Sequence, residues 1–272
     1  MMKLDNLYHR NIRPLLDPKV VSKSRIGGRE IVVLTTNLCN LSCYGCSTHC
    51  SAMNAFSIRP TVLDPDVLDQ FLTNITGFQP ARAVQLQGGE LTMIPLKIVA
   101  EYTKIVRDHG RRAHVLTNGY RMDQIDPHLF DRIVLDEHAQ NRDDIKKAVA
   151  HFIDEGYDNY FVHVLRYHIN LEKVVKSSDY APEFVCKNWY NSVTLYDTVV
   201  HPCCLSPMIY GYTGDDRYRR DLITEGYTYD NPNLASLLSK KQGPPSMIRA
   251  CTRDCYRRRN RSGFEWKRTD SK

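Results

Sequence analysis

Cys39, Cys43 and Cys46 stand as C-x3-C-x2-C within Asn37-Leu38-Cys39-Asn40-Leu41-Ser42-Cys43-Tyr44-Gly45-Cys46, directly after the apolar run Ile31-Val32-Val33-Leu34. Three thiolates this close along the chain could hold three irons of a [4Fe–4S] cluster, because soft sulfur ligands suit iron–sulfur groups and zinc. A fourth thiolate is missing from the pattern, and an iron without a protein ligand is open to another molecule. A zinc site would want a fourth ligand, which His49 or Cys50 could supply. A frame built on Cys43, Cys46 and Cys50 would strand Cys39 at the end of the preceding strand.

The spacing resembles that of the radical S-adenosylmethionine (radical SAM) enzymes, and further motifs follow in the same order. Gln87-Gly88-Gly89-Glu90 comes after the apolar segment Ala83-Val84-Gln85-Leu86, like that family's glycine-rich motif after its second strand. Leu116-Thr117-Asn118-Gly119 and Ile133-Val134-Leu135-Asp136 resemble the ends of its third and fourth strands. The resemblance implies a cluster on Cys39, Cys43 and Cys46 whose open iron binds S-adenosylmethionine. It also implies methionine-amino contacts from Gly88, Gly89 and Glu90, a ribose or carboxylate contact from Asn118, and a cofactor contact from Asp136. The family often has an aromatic residue just before the third cysteine; here that place is Gly45, with Tyr44 one residue earlier, and the adenine contact falls to this pair. The plain readings are a solvated Glu in a turn, an Asn in a left-handed turn and a strand-end Asp capping a helix.

Five of the nine cysteines lie late in the chain: Cys186, Cys203, Cys204, Cys251 and Cys255. Ser192–Asp197 and Thr198–Pro202 read as a hairpin turning near Asp197-Thr198, with Cys186 before it and Cys203 at its end. The arrangement is similar to the twitch domain of radical SAM enzymes, the short relative of the SPASM domain. That similarity implies a second, auxiliary [4Fe–4S] cluster on Cys186, Cys203, Cys251 and Cys255. Structural zinc and plain buried thiols are the alternatives. Cys203 and Cys204 point to opposite faces of a strand, so one of them is a ligand, and spacing selects Cys203. Arg166 and His168 close the segment Phe161-Val162-His163-Val164-Leu165 and are the candidate catalytic residues. A guanidinium can grip a hydroxyl, carboxylate or phosphate by a forked contact, and an imidazole can accept a proton. A surface ion pair and a solvated His compete with those roles.

These residues need a scaffold, and the chain alternates short β-branched runs with longer amphipathic stretches. Strands are predicted over 30–35, 83–87, 113–117, 132–136 and 160–166, with helices near 63–76, 95–109, 122–129 and 142–155. Asp64-Pro65-Asp66 reads as a helix start and Gly156 as a helix stop. Repeated βα units predict an α/β fold, a partial (β/α)6-type parallel barrel with a small C-terminal auxiliary iron–sulfur domain. Active sites in such barrels lie at the carboxyl ends of the strands, where the candidate cofactor residues fall. The predicted divisions are an N-terminal extension over 1–28, the barrel over 29–179, the auxiliary domain over 180–258 and a basic tail over 259–272.

The formal charge is +6, and the basic residues concentrate late, in the stretch from Arg249 to Lys272. That segment could hold an anionic partner, nucleic acid included, or form a solvated tail. Nine cysteines without a secretory signal argue against a disulfide scaffold, and no apolar stretch approaches the ~18 residues of a membrane span. The expected setting is a reducing cytoplasm. The expected activity is a radical SAM oxidoreductase acting on a small or carrier-bound substrate, supplied with electrons by a flavodoxin or ferredoxin. The competing classes are a radical SAM enzyme that modifies a peptide or RNA, and a non-enzymatic iron–sulfur or zinc module that binds nucleic acid.

Overall fold

A computed structural model of the chain describes residues 30–41, 43, 46, 61–78, 82–138, 140–164, 167–169, 192–202, 217–239 and 266–268. Tyr44, Gly45, Arg166, Cys186, Cys203, Cys204, Cys251 and Cys255 lie outside these residues, as does the side chain of His168.

The β-branched runs form β1 (Glu30–Leu34), β2 (Ala83–Gln87), β3 (Arg112–Thr117), β4 (Arg132–Glu137) and β5 (Tyr160–Val164), all mutually parallel. Between them run α1 (Pro65–Asn74), α2 (Leu96–Asp108) and α3 (Arg142–Asp154). A short strand β6 (Tyr167–Ile169) follows, then β7 (Ser192–Tyr196) and β8 (Val199–His201). Helices α4 (Arg217–Thr224) and α5 (Leu234–Ser239) come next, and β9 (Trp266–Arg268) pairs antiparallel with β6. The main sheet has the order β5-β4-β3-β2-β1-β7-β8. The first five strands step in one direction, so right-handed crossovers bring the helices to one face and leave the other as the inner wall of a partial barrel.

Alternation along the strands divides the two faces. Ile31, Val33, Val84, Leu86, Ile133 and Leu135 belong to the apolar core that the helices cover. Their neighbours in sequence therefore face inward, among them Gln85, His114, Arg132, Asp136 and His163. Helix α1 shows how the outer layer is specified. Asp64 accepts from Asp66 N at 3.0 Å, Pro65 occupies the first turn, and Leu68, Phe71 and Leu72 recur at helical spacing to bury against the sheet.

One expectation changed. The helix expected over 122–129 is a pair of single 3-10 turns, Met122–Gln124 and Pro127–Leu129. Pro127 pushes Asp126 out of the helical region, to ψ 111°, and Asp126 instead caps the second turn through His128 N at 2.9 Å. The hairpin forms as expected, with its turn at Asp197 in left-handed backbone at φ 55°, and β7 pairs parallel with β1. Strands β7 and β8 thus lie at one edge of the main sheet. No helix among the described residues is long and apolar enough to cross a membrane.

Candidate active site at the carboxyl ends of the strands

The cysteine loop rises from β1 on a stapled base. Thr36 Oγ1 donates to Thr61 O at 2.7 Å, and Thr61 N donates to the Asn37 side chain at 2.8 Å. These bonds join the two feet of the loop, and Thr36 and Asn37 are buried there.

The glycine pair after β2 docks on the first foot. Gly89 N donates to Thr36 O and Glu90 N to Leu38 O, both at 2.6 Å. A Cβ on Gly89 would stand 1.9 Å from Leu38 O, and one on Gly88, at φ +149°, would stand 2.4 Å from Thr36 O. The absence of side chains at these two positions is therefore required by chain meeting chain, one residue before Cys39.

Glu90 turns inward and is 0% exposed. Its Oε1 accepts from Thr92 N at 3.2 Å and Thr92 Oγ1 at 3.1 Å, while Oε2 accepts from Asn118 N at 2.7 Å. Thr117 Oγ1 lies within 2.9 Å of both oxygens. Burial raises this carboxyl's pKa, and the donors from Thr117, Asn118 and Thr92 oppose the rise. The carboxylate is a strut joining the ends of β2 and β3, and both its oxygens are committed to protein donors.

Asn118 carries the strut to the cysteines. Its Nδ2 donates to Asn40 Oδ1 at 2.9 Å and lies 3.6 Å from Cys39 Sγ. Its backbone O accepts from Asn141 Nδ2 at 2.6 Å, and the same amide donates to Asp136 O at 2.8 Å. Asn141 is buried and ties the ends of β3 and β4 together. Opposite Asp136 in the β4–β5 register stands His163, whose Nδ1 lies 3.0 Å from Asp136 Oδ1. That bond raises the imidazole's pKa.

Cys39, Cys43 and Cys46 form no disulfide among the described residues. Burial pushes the Cys43 thiol up to about 12, and the charges of Cys46, Cys39 and Asp136 add to the rise. The three cysteines and Asp136 thus share one electrostatic neighbourhood, in which only bound positive charge favours thiolates. Among the described residues no three His, Cys, Asp or Glu side chains converge on a single ion. Three soft thiolates on one loop suit an iron–sulfur cluster, in which each thiolate would bind its own iron.

Of the cofactor residues expected from sequence, the structure gathers Cys39, Gly88, Gly89, Glu90, Asn118 and Asp136 at one end of the sheet. The sequence pattern singles out neither Asn141 nor His163. Only the pairing of β4 with β5, and the packing of α3 against the strand ends, give those two residues their partners.

Comparison with known proteins comes to the same place. The model of the radical SAM superfamily matches residues 33–198. No curated protein matches the chain. Among solved structures, BtrN in complex with AdoMet and 2-DOIA is 15% identical with a TM-score of 0.51, over 86% of this chain and 89% of that one. Native anSMEcpe with bound AdoMet is 12% identical with a TM-score of 0.40, over 73% of this chain and 63% of that one. SuiB of Streptococcus suis bound to S-adenosylmethionine is 12% identical with a TM-score of 0.40, over 86% and 74% of the two chains.

Proposed function

The chain belongs to the radical SAM superfamily, a family of enzymes, and from that premise we propose that it is an oxidoreductase acting on a small or carrier-bound substrate. Cys39, Cys43 and Cys46 would hold the [4Fe–4S] cluster. When bound, that cluster and S-adenosylmethionine supply a 5′-deoxyadenosyl radical, which takes a hydrogen atom from a substrate carbon. The observation that carries the reading is the docking of Gly89 and Glu90 on the foot of the cysteine loop, with Asn118 bridging to Cys39. Through it, the first cysteine and the ends of β2 and β3 are tied together by hydrogen bonds.

Glu90 serves the methionine end of the cofactor through the Gly88-Gly89 segment that it anchors, and Asn118 and Asp136 serve the carboxylate or ribose. Tyr44 and Gly45 supply the adenine contact. In the oxidation of a carbinol to a ketone, the substrate carbon would lose its hydrogen as an atom, which the bound cofactor would accept. The hydroxyl proton goes to a base, and the one remaining electron goes to an acceptor. Arg166 is the proposed anchor for the substrate's polar groups and His168 the proposed base. Cys186, Cys203, Cys251 and Cys255 are the proposed ligands of an auxiliary [4Fe–4S] cluster suited to that acceptor role. A flavodoxin or ferredoxin in the cytoplasm would be the electron donor.

Anaerobic reconstitution with iron and sulfide tests both levels of the proposal. About eight irons per chain with reductive cleavage of S-adenosylmethionine supports two clusters. About four irons with cleavage retains the radical chemistry and removes the auxiliary cluster, and no bound iron removes both.

A further inference from the structure

The partial barrel carries a carboxylate–imidazole pair on its inner face at the carboxyl ends of β4 and β5. Ile133 and Leu135 in β4, and Tyr160 and Val162 in β5, face the helical layer. Strand alternation sends Asp136 and His163 to the other face, and the register sets them directly opposite one another. His163 Nδ1 lies 3.0 Å from Asp136 Oδ1. The backbone of Asp136 is held as well, since its carbonyl accepts from Asn141 Nδ2 at 2.8 Å. One carboxylate oxygen is thereby fixed, while Oδ2 has no hydrogen bond among the described residues. The Asp136 side chain is 19% exposed and that of His163 51% exposed, so the pair remains accessible. Its charge also reaches the cysteine loop, where Asp136 contributes to the rise at Cys43.

We propose that His163 is a positioning residue for S-adenosylmethionine, holding Asp136 in the one orientation that presents Oδ2 to a ribose hydroxyl. This rests on the cofactor reading given above. Without the imidazole, the Asp136 side chain regains its rotamers, and the free oxygen is presented only part of the time. The cofactor's affinity falls by the fraction of time lost, while the apolar face of β5 and the cysteine loop are untouched.

The test measures S-adenosylmethionine affinity on the anaerobically reconstituted full chain, with iron content and thermal midpoint recorded for each variant. His163→Asn keeps a side-chain N–H near the position of Nδ1, and His163→Leu removes it. The Leu variant should bind S-adenosylmethionine ~10-fold more weakly, as expected for loss of one oriented charge-assisted contact. The Asn variant should stay within about threefold of the parent, a smaller loss in the same contact. Both should keep their iron and thermal midpoint. In an Asp136→Asn background, His163→Leu should have no further effect, because the histidine acts through the carboxylate. Parental affinity in His163→Leu, equal losses in the Leu and Asn variants, additive losses in the double variant, or loss of iron along with affinity would each overturn the proposal. A parent chain that holds its iron but binds no S-adenosylmethionine would instead bring down the cofactor reading on which it rests.

Discussion

Replacing Gly89 by alanine puts the docking of the glycine segment on the cysteine loop to the test. The new methyl would lie 1.9 Å from Leu38 O, 2.6 Å from Leu38 C and 2.9 Å from Asn37 C. All three are backbone atoms, so no side-chain rotation relieves the clash. Moving from 1.9 Å to the 3.4 Å where ordinary contact begins asks the end of β2 or the foot of the loop to shift by about 1.5 Å. That shift would carry the bonds from Gly89 N to Thr36 O and from Glu90 N to Leu38 O, now 2.6 Å each, beyond bonding distance. Two such bonds contribute about 1 kcal/mol each and overpacking costs about 1–3 kcal/mol, so the total is ~3–5 kcal/mol. For a chain of this size the thermal midpoint should drop by roughly 10 °C. Because Cys39 follows Leu38 directly, reconstituted iron and S-adenosylmethionine affinity should fall as well. Gly110→Ala is the control: its backbone is left-handed, at φ +67°, whereas that of Gly89 is not, and nothing lies within 4 Å of the added methyl. It should cost only the conformational strain, about 1 kcal/mol. If Gly89→Ala matched Gly110→Ala in stability and kept full iron and cofactor affinity, the reasoning from close approach would be refuted.

Alanine at Cys39, Cys43 or Cys46 should each abolish S-adenosylmethionine cleavage, because each removes one of only three ligands; retained cleavage in any of them would show that the frame is misassigned. Glu90→Gln should lower stability by about 1–3 kcal/mol in urea unfolding at neutral pH, since one end of the amide must turn a donor toward Thr92 N–H or Asn118 N–H. An unchanged midpoint would mean that the Glu90 carboxyl is already protonated in the fold. Stability should decline as pH falls from about 6.5 toward 4, because burial, with the charges of Arg132 and Arg112, lowers His114 to about 4, and burial with Arg219 lowers His201 to about 3. Over that window the unfolded chain binds more protons than the folded one, so stability rises with pH and is complete above the unfolded value. The raised Glu90 carboxyl works in the opposite sense, and His114→Asn should make the acid limb shallower, as read by thermal midpoints from pH 4 to 7. An equally steep limb in that variant would place the acid sensitivity elsewhere.

Local pattern determined the elements and the chemistry they carry. Asp64-Pro65 starts α1, the β-branched runs form β1 to β5, and C-x3-C-x2-C marks the cysteine loop. These signals are short in range: a capping oxygen reaches two residues, strand alternation repeats every second residue, and three thiolates on one loop are close by covalent connection. What only the tertiary structure decided depends on which distant segments meet and in what register. Gly88 and Gly89 read as places where backbone approaches a ligand closely, and the pairing of β1 with β2 also brings the backbone of Thr36 and Leu38 against them. Glu90 read as a partner for a methionine amino group, with a solvated turn carboxylate as the plain alternative, and the end of β3 supplies the donors that bury it. The hairpin of β7 and β8 is legible from its turn, but the pairing of β7 with β1 joins segments far apart in the chain. Asp136 and His163 become partners only because β4 and β5 align at that residue, and a slip of one position would send His163 to the opposite face. Register is set by the packing of the whole apolar face against its helices, a sum over many contacts that no local window of the chain contains.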